Sequence, residues 1–354
     1  MQTIIVASTK PYIGKSGISV ALIALLEERG LDVGYFKPYG GMPHTVEGVT
    51  SDEDAIYINR LLARPSNLAD VCPVIRSEQL IDEVLRAQHN SPIPAVRQAF
   101  GRCAEGRDVM VVEGPTEPHQ GAALGLSLAE LPTLFGSRVL LVDRPRQNDL
   151  PEDALAIGHQ LGTSLGGIIL NSIDESRMRI ATERIVPFLE ARGLPVLGVM
   201  RHDPSLASVT VAEIVEALGG RVLCGHDELG STVESFMVGA MGQEKALRYF
   251  RRKQNKAVIT GGDRSDVQLA ALETSTRCLV LTGAQMPEPQ ILARAEQQGV
   301  PMILVESDTL TAVEHVEALF GRVHLHDPGK AAKIREMFER RVDFGRLLAA
   351  FNLG

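Results

Sequence analysis

The sequence predicts an α/β fold in which helices cover both faces of a parallel sheet, and a smaller α/β unit follows. Two observations support this prediction. Short runs of Ile, Val and Leu are apolar throughout, as in strands that are buried on both faces of a sheet. Stretches with apolar residues at helical spacing separate these runs, and such alternation is typical of parallel sheets.

The elements divide into two groups along the chain. In the first group, strands are predicted at 3–7, 33–36, 109–113, 139–143, 167–171 and 196–200, with helices at 17–29, 77–88, 95–104, 152–161 and 177–192. From about residue 208 the spacing tightens, with strands at 256–260, 278–282 and 302–305 and helices at 209–218, 267–272, 288–298 and 309–320. We therefore predict domains over 1–207 and 208–327, then a charged helical tail over 328–354. The segment 38–49 is rich in Gly and Pro and is predicted to be a loop.

Composition and charge exclude several classes of protein. The chain of 354 residues is 44% hydrophobic and 23% charged, which is typical of a globular protein with a large core. A net charge of -8 argues against binding to nucleic acid or to an anionic membrane. The longest apolar run, 20–26, is far shorter than the roughly 20 residues that cross a bilayer, and the first residues lack the basic region of a secretory signal. We expect a cytoplasmic protein whose scattered cysteines are buried thiols.

The strongest chemical signal lies between the first predicted strand and the first predicted helix. Residues 9–16, TKPYIGKS, match the phosphate-binding P-loop pattern, except that Thr9 replaces its first glycine. In such a turn, backbone N–H groups and the helix N-terminus surround a phosphate. Gly14 permits a close approach, Lys15 reaches the β- and γ-phosphates, and the Ser16 hydroxyl ligates Mg²⁺. We expect Lys15 to be exposed at this turn.

The order of the motifs resembles that of dethiobiotin synthetase-like P-loop proteins. The P-loop is followed by FKP at 36–38, VVEG at 111–114 and LN at 170–171. The later segments ITGGDRSD at 259–266 and VLTG at 280–283 resemble a DRTGG domain. In this order the two domains resemble the N-terminal half of long bacterial phosphate acetyltransferases. The chain ends where the acetyltransferase domain of those enzymes would begin, so it resembles a stand-alone form.

The resemblance implies a nucleotide site that holds Mg²⁺. The residues that would contact the nucleotide are Lys10, Ile13, Gly14, Lys15, Ser16, Gly17 and Asn171, the last of which would read the base. The residues implied as metal ligands are Ser16, Asp54 and Glu113, and those implied in catalysis are Lys15, Lys37 and Glu113. Lys10 matches the second lysine of the deviant P-loop group, which contacts phosphate, often across a dimer.

The residues themselves leave alternatives open. Glu113 ends an apolar strand, where open α/β sheets place their ligands, but it also fits a helix cap. Asp54 fits the N-terminus of a helix, where acids complement the dipole, and Asp52 competes with it as a metal ligand. Asn171 also fits a helix cap, and Lys10 also fits a solvated surface.

We expect a regulatory or sensor protein that binds Mg²⁺ and ATP (or another nucleoside triphosphate). We expect weak ATPase activity at most and no phosphate acetyltransferase activity. One alternative is an ATP-dependent ligase of the dethiobiotin synthetase or cobyrinic acid diamide synthase type, although 114–121 lacks the Gly-Gly that follows the glutamate in dethiobiotin synthetases. Another is a partner-binding module without catalysis, whose partner in acetate or acetyl-CoA metabolism is unidentified. The resemblance also implies a homodimer.

Overall fold

The computed structural model describes residues 1–145, 150–321 and 328–353. The chain forms two compact units, one made of Met1–His202 and Leu325–Gly354 and the other of Asp203–His324. The predicted boundary at residue 327 lies outside the described residues. Within the described part of the chain, no helix is long and apolar enough to span a bilayer.

The first unit is built on a parallel sheet. Its strands are β1 (Gln2–Ser8), β2 (Val33–Phe36), β3 (Pro43–Val46), β4 (Val49–Asp52), β5 (Val109–Glu113), β6 (Arg138–Asp143), β7 (Leu165–Ile173) and β8 (Val196–Arg201). Six of them form the sheet, in the order β2-β5-β1-β6-β7-β8, and all neighbours are parallel. β1 lies near the centre, where Ile5 pairs with Val112 on one side and Val139 on the other. The apolar runs become these strands because both faces of the sheet are covered.

Helices cover this sheet. They are α1 (Lys15–Glu27), α2 (Glu53–Leu61), α3 (Leu68–Val71), α4 (Glu78–Leu85), α5 (Ile93–Ala104), α6 (Leu131–Phe135), α7 (Glu152–Leu161), α8 (Met178–Ile180) and α9 (Val186–Glu190). A π-helical turn, Ala181–Ile185, joins α8 to α9 where the sequence predicts one continuous helix. α1 is buried over most of its surface, and Ile18, Leu22 and Leu26 are at most 1% exposed.

The predicted loop over 38–49 is partly wrong, because β3 and β4 form an antiparallel hairpin in it. The two residues of the turn, Glu47 and Gly48, have φ values of 51° and 80°. Positive φ at both central residues matches the tight turn that joins twisted strands. The hairpin escapes prediction because its strands lack an apolar alternation: β3 is mostly exposed, and the buried residues of β4, Ser51 and Asp52, are polar.

The second unit contains a five-stranded sheet. The strands of the unit are β9 (Val209–Thr210), β10 (Arg221–Cys224), β11 (Thr232–Val233), β12 (Ser235–Val238), β13 (Lys256–Gly261), β14 (Thr276–Thr282) and β15 (Met302–Leu304). Of these, β9 and β11 pair with each other outside the five-stranded sheet. Its helices are α10 (Val211–Leu218), α11 (Gln243–Phe250), α12 (Ser265–Leu272), α13 (Pro289–Gln297) and α14 (Thr309–Gly321). The sheet order is β10-β15-β14-β13-β12, and β10 is antiparallel to its neighbour.

Two apolar cores cover the faces of this second sheet. One includes Phe250 and Val267 from α11 and α12, and the other includes Ile214 and Val316 from α10 and α14. A Cβ at Gly262 would lie 1.8 Å from the carbonyl oxygen of Gln285, so the Gly-Gly turn after β13 has no room for a side chain. That glycine is explained by packing within the unit.

The charged C-terminal segment packs on the first unit. It forms α15 (Pro328–Arg341) and α16 (Phe344–Ala350). Between these helices, Val342 bridges Gly198 on the edge strand β8, and the Asp343 N–H donates to the Leu197 carbonyl at 2.7 Å. Phe338 of α15 is fully buried. The segment that the sequence sets apart as a tail therefore closes one edge of the first sheet.

The predicted fold class, a P-loop-type α/β unit followed by a smaller α/β unit and a helical C-terminus, is confirmed. The four cysteines are free and buried, as expected.

Candidate functional site

The predicted phosphate loop joins the end of β1 to the start of α1. Gly14 has a φ of 89° and precedes the first residue of α1. This dihedral angle favours glycine, and a Cβ at this position would also lie 2.5 Å from the amide nitrogen of Asn171, which would have to move. Tyr12 has a φ of 57°, a backbone conformation that costs a bulky residue energy. Such strain is typical of functional turns.

Lys15 is buried, which corrects the expectation that it is exposed. Only 8% of the surface of Lys15 is exposed. The ammonium group lies 2.8 Å from Glu113 Oε1 and donates to the Gly114 carbonyl at 2.9 Å. The lysine therefore extends from the first turn of α1 to the carboxyl end of β5.

A second lysine reaches the same carboxylate. Lys37 follows β2 and is 3% exposed. Its ammonium group lies 2.6 Å from Asp52 Oδ1, 3.4 Å from Glu113 Oε1 and 3.8 Å from Asp54 Oδ2. The sequence-predicted residues Lys15, Lys37, Asp54 and Glu113 thus meet at the carboxyl edge of the sheet, beside the phosphate loop.

The oxygen atoms of this cluster fit a magnesium ion. The Ser16 hydroxyl lies 3.0 Å from Asp54 Oδ2 and 3.3 Å from Glu113 Oε1. Hydroxyl and carboxylate oxygens are hard donors, and Mg²⁺ takes one or two carboxylates together with phosphate oxygens and water. The described residues contain no cluster of three or more His, Cys, Asp or Glu side chains suited to a metal.

The charges of the cluster set its protonation. Burial alone would raise the pKa of Glu113, but the ammonium groups of Lys15 and Lys37 outweigh it and lower that pKa to about 2. Burial opposes the charge of Lys37, yet Glu113, Asp52 and Asp54 together raise its pKa. Burial raises the pKa of Asp54, an effect that Lys37 opposes and Glu113 reinforces. Glu113 is therefore ionised, while burial favours the neutral form of Asp54.

The structure gives Asp52 and Asp54 different contacts and different exposure. The Asp52 carboxylate accepts hydrogen bonds from the backbone N–H groups of Gly41, Met42 and Ala55, and it caps α2. It is fully buried. The Asp54 side chain is 26% exposed and contacts the Ser16 hydroxyl. We infer that Asp52 holds the local backbone and that Asp54 faces the metal position.

The different contacts predict that a change at Asp52 lowers stability, whereas a change at Asp54 alters the Mg²⁺ dependence of nucleotide binding. Asp52→Ala should lower the free energy of unfolding by about 3 kcal/mol, because Lys37 loses its nearest partner and three N–H groups lose their acceptor. Asp54→Asn should leave stability within about 1 kcal/mol of wild type and should remove the Mg²⁺ dependence of nucleotide binding. Urea unfolding and nucleotide titration with and without Mg²⁺ measure the two effects. A stable Asp52→Ala protein that has lost its Mg²⁺ dependence would reverse the assignment.

Three other predicted residues have different surroundings. The Lys10 ammonium forms an ion pair with Asp153 of α7 in the same chain. The Asn171 amide donates to the Ile13 carbonyl at 2.8 Å and so holds the phosphate loop. Gly17 lies in the first turn of α1, where it contacts the C-terminal segment. Base recognition by Asn171 and phosphate binding by Lys10 stay predictions.

Sequence reasoning missed three residues of the site. Ser19 donates to Glu113 Oε2 at 3.1 Å and is fully buried. Thr9, which replaces the first glycine of the motif, donates to Asp143 Oδ1 at 2.5 Å. Asp143 is 1% exposed, and its Oδ2 has no hydrogen-bond partner among the described residues. A signal for this pair was present, because Asp143 ends the apolar strand β6 as Glu113 ends β5.

Comparisons with known proteins show which families the chain is similar to. Residues 2–210 match the AAA_26 family, described as an AAA domain, and residues 213–319 match the DRTGG domain. The chain is 28% identical to the phosphate acetyltransferase of Pseudomonas putida over 97% of its own length and 51% of that protein. It is 25% identical to the phosphate acetyltransferase of Deinococcus radiodurans, again over 97% of its own length and 50% of that protein. The chain thus spans about half the length of these curated relatives.

Two solved structures are similar to parts of the chain, with low TM-scores. The cell-division protein MinD of Aquifex aeolicus matches 58% of the chain and 84% of its own, with 16% identity and a TM-score of 0.34. The CBS and DRTGG domains of the Clostridium perfringens pyrophosphatase, complexed with diadenosine tetraphosphate, match 38% of the chain and 67% of their own, with 17% identity and a TM-score of 0.28.

A parallel sheet whose first strand and first helix are joined by this lysine-bearing turn defines a P-loop protein. The chain belongs to the AAA_26 family, the dethiobiotin synthetase-like P-loop domains, and carries a DRTGG domain after it. It is homologous to the N-terminal half of phosphate acetyltransferases. The predicted resemblance is confirmed at this level.

Proposed function

We propose that the chain binds Mg²⁺ and a nucleoside triphosphate, with ATP as the first candidate, and acts as a regulatory or sensor module. The observation that carries the proposal is the convergence of Lys15, Lys37 and Ser16 on Glu113 and Asp54 beside the phosphate loop. The two ammonium groups suit the charge of the β- and γ-phosphates. A metal held by Ser16, Asp54 and Glu113 would neutralise phosphate charge when bound.

The ion pairs of the site support a sensor role. The cationic side chains around the phosphate loop each have a carboxylate partner: Lys15 contacts Glu113, Lys37 contacts Asp52, and Lys10 contacts Asp153. A triphosphate therefore has to exchange some of these pairs for phosphate contacts. Binding then changes the charge arrangement at the start of α1, which is the local event that a sensor requires.

The proposal is tested with a panel of nucleotides. Thermal unfolding is measured with ATP, GTP, CTP and ADP, each with Mg²⁺ or with a chelator, and phosphate release is measured afterwards. At a hundredfold excess over its dissociation constant, a nucleotide adds about 2.7 kcal/mol to stability, so a rise of several degrees is expected. We expect the largest rise with ATP and Mg²⁺, and slow phosphate release. If no nucleotide stabilises the chain, the proposal is wrong.

A cavity supports the ligase as a second candidate. It has a volume of about 480 Å³ and lies beside Thr9, Lys10 and Pro11 of the phosphate loop. Glu117 and Asp153 supply polar lining, while further lining side chains such as Leu128 and Ile157 are apolar. A volume of this size suits a small metabolite. A ligase would show phosphate release that depends on an acceptor, so the assay is repeated with a panel of carboxylates and diamines.

We also propose that the chain is a homodimer, paired mainly through its second unit. Light scattering should then give about twice the chain mass of 38.3 kDa. Truncation near residue 205 would also remove α15 and α16 from the first unit. The better variant replaces residues 205–326 with a flexible linker, and we expect it to be monomeric. A monomeric full chain at micromolar concentration would refute the dimer, and a dimeric deletion variant would refute the assignment to the second unit.

A further inference from the structure

Helix α15 lies against the first turn of α1, next to the residues proposed to bind phosphate. Ile334 of α15 is 3% exposed. A Cβ built at Gly17 would lie 2.9 Å from the Ile334 Cδ1 atom. Gly17 directly follows Ser16 in the chain. α15 therefore contacts the first turn of α1, which directly follows the proposed phosphate loop.

The same segment also holds the other end of α1. Arg335 places Nε and Nη2 each 2.7 Å from an oxygen of the Glu28 carboxylate, at the C-cap of α1. The Arg29 guanidinium lies 4.1 Å from the centre of the Phe344 ring. α1 is therefore held at both ends by α15 and by the start of α16, so a movement of α1 is opposed by both helices.

Glycines make room for this segment at two further places. A Cβ at Gly198 would lie 2.7 Å from the Arg341 carbonyl oxygen, and one at Gly166 would lie 2.5 Å from the Phe351 ring. Close backbone contact of this kind fixes the position of the segment along the sheet. Closely packed elements tend to adopt a few discrete positions rather than a continuous range of positions.

We propose that occupancy of the phosphate loop is coupled to α15 through the contact between Gly17 and Ile334. This inference rests on the nucleotide binding proposed above. A phosphate that draws Lys15 away from Glu113 acts on the turn of α1 that Ile334 contacts. The chain leaves the first unit after β8 and returns to it with α15. α15 is thus the first helix of the first unit after the chain leaves the second unit.

The coupling is tested by hydrogen exchange of the full chain with and without Mg·ATP. In wild type, we expect Mg·ATP to slow exchange by about fivefold or more in the first turn of α1 and also in α15. Ile334→Ala removes the contact and leaves the phosphate loop intact. We expect this variant to keep the ATP-dependent protection of α1 and to lose that of α15, and Ile334→Leu, which keeps δ-methyl groups, to restore most of it.

Three further variants distinguish the coupling from a general loss of packing. Gly17→Ala introduces a methyl group into the contact and should weaken ATP binding several-fold, while Gly17→Ala with Ile334→Ala should recover it. Phe351→Leu perturbs the segment at β7, away from α1, and should preserve the coupling. Protection of α1 alone in wild type would overturn the inference and leave the proposed function standing. Protection of neither element would overturn both.

Discussion

Replacing Lys15 with alanine should abolish the stabilisation of the chain by Mg·ATP. The lysine is the cation of the phosphate loop, and its ammonium group already lies at the carboxyl edge of β5. Removing it leaves the phosphates without their nearest positive charge, which costs charge-assisted hydrogen bonds of about 2 kcal/mol each. A loss of several kcal/mol weakens binding by more than a hundredfold. Thermal unfolding at millimolar ATP should then show no rise over the nucleotide-free variant.

The burial of Lys15 changes how this experiment is read. The variant also removes a partner of Glu113, so its melting temperature without nucleotide should fall. The informative quantity is therefore the rise caused by ATP within each protein. Lys245→Ala is a matched control, since that lysine is exposed on α11 of the second unit and its loss should cost little stability. A Lys15→Ala protein that responds to ATP as wild type does would contradict the phosphate-loop assignment.

Replacing Glu113 with glutamine should have the largest effect on stability. The change keeps the shape of the side chain and removes the charge that Lys15 and Lys37 share. Breaking a buried ion pair costs about 3 to 5 kcal/mol, because Lys15 stays buried without its carboxylate partner, while Lys37 keeps Asp52. Urea unfolding should show this loss at pH 7. A variant as stable as wild type would mean that neither lysine depends on Glu113.

The effect of Glu113 should also depend on pH, with a definite sign. Its pKa in the folded chain is lowered from the ordinary 4.5 to about 2. A lowered pKa stabilises the fold above pH 4.5, and this contribution is lost as the pH falls from 4.5 towards 2. A shift of this size corresponds to about 3 kcal/mol. The difference in unfolding free energy between wild type and Glu113→Gln should therefore shrink over that range, and a constant difference would contradict the shift.

The sequence predicts the sheet well because buried parallel strands have a strong local signal. The apolar runs that become β2 and β5 match their predicted bounds, and the strand–turn–helix at the P-loop follows from its motif. Structure that depends on distant contacts is harder to predict. The exposed hairpin of β3 and β4 has no apolar pattern. The docking of the C-terminal segment depends on room left by Gly17, Gly166 and Gly198, which no local pattern reveals.

The candidate site was predicted in part. Strand ends and a known motif indicate Lys15, Ser16 and Glu113, because they sit at positions with a chemical reason for their residue type. The different roles of Asp52 and Asp54 could not be predicted, since both precede or begin the same helix and only their burial and partners distinguish them. Pairings between strands, such as Thr9 with Asp143, require the sheet order to be known.

Calorimetric titration of the full chain with ATP, in Mg²⁺ and then in a chelator, tests the central claim most directly. The account predicts saturable binding of one nucleotide per chain in Mg²⁺, and weaker binding without the metal because Asp54 and Glu113 then repel the phosphates. The arrangement of Lys15, Lys37 and Ser16 requires this result if it is a nucleotide site. The absence of binding of ATP at millimolar concentration, with or without Mg²⁺, would contradict it.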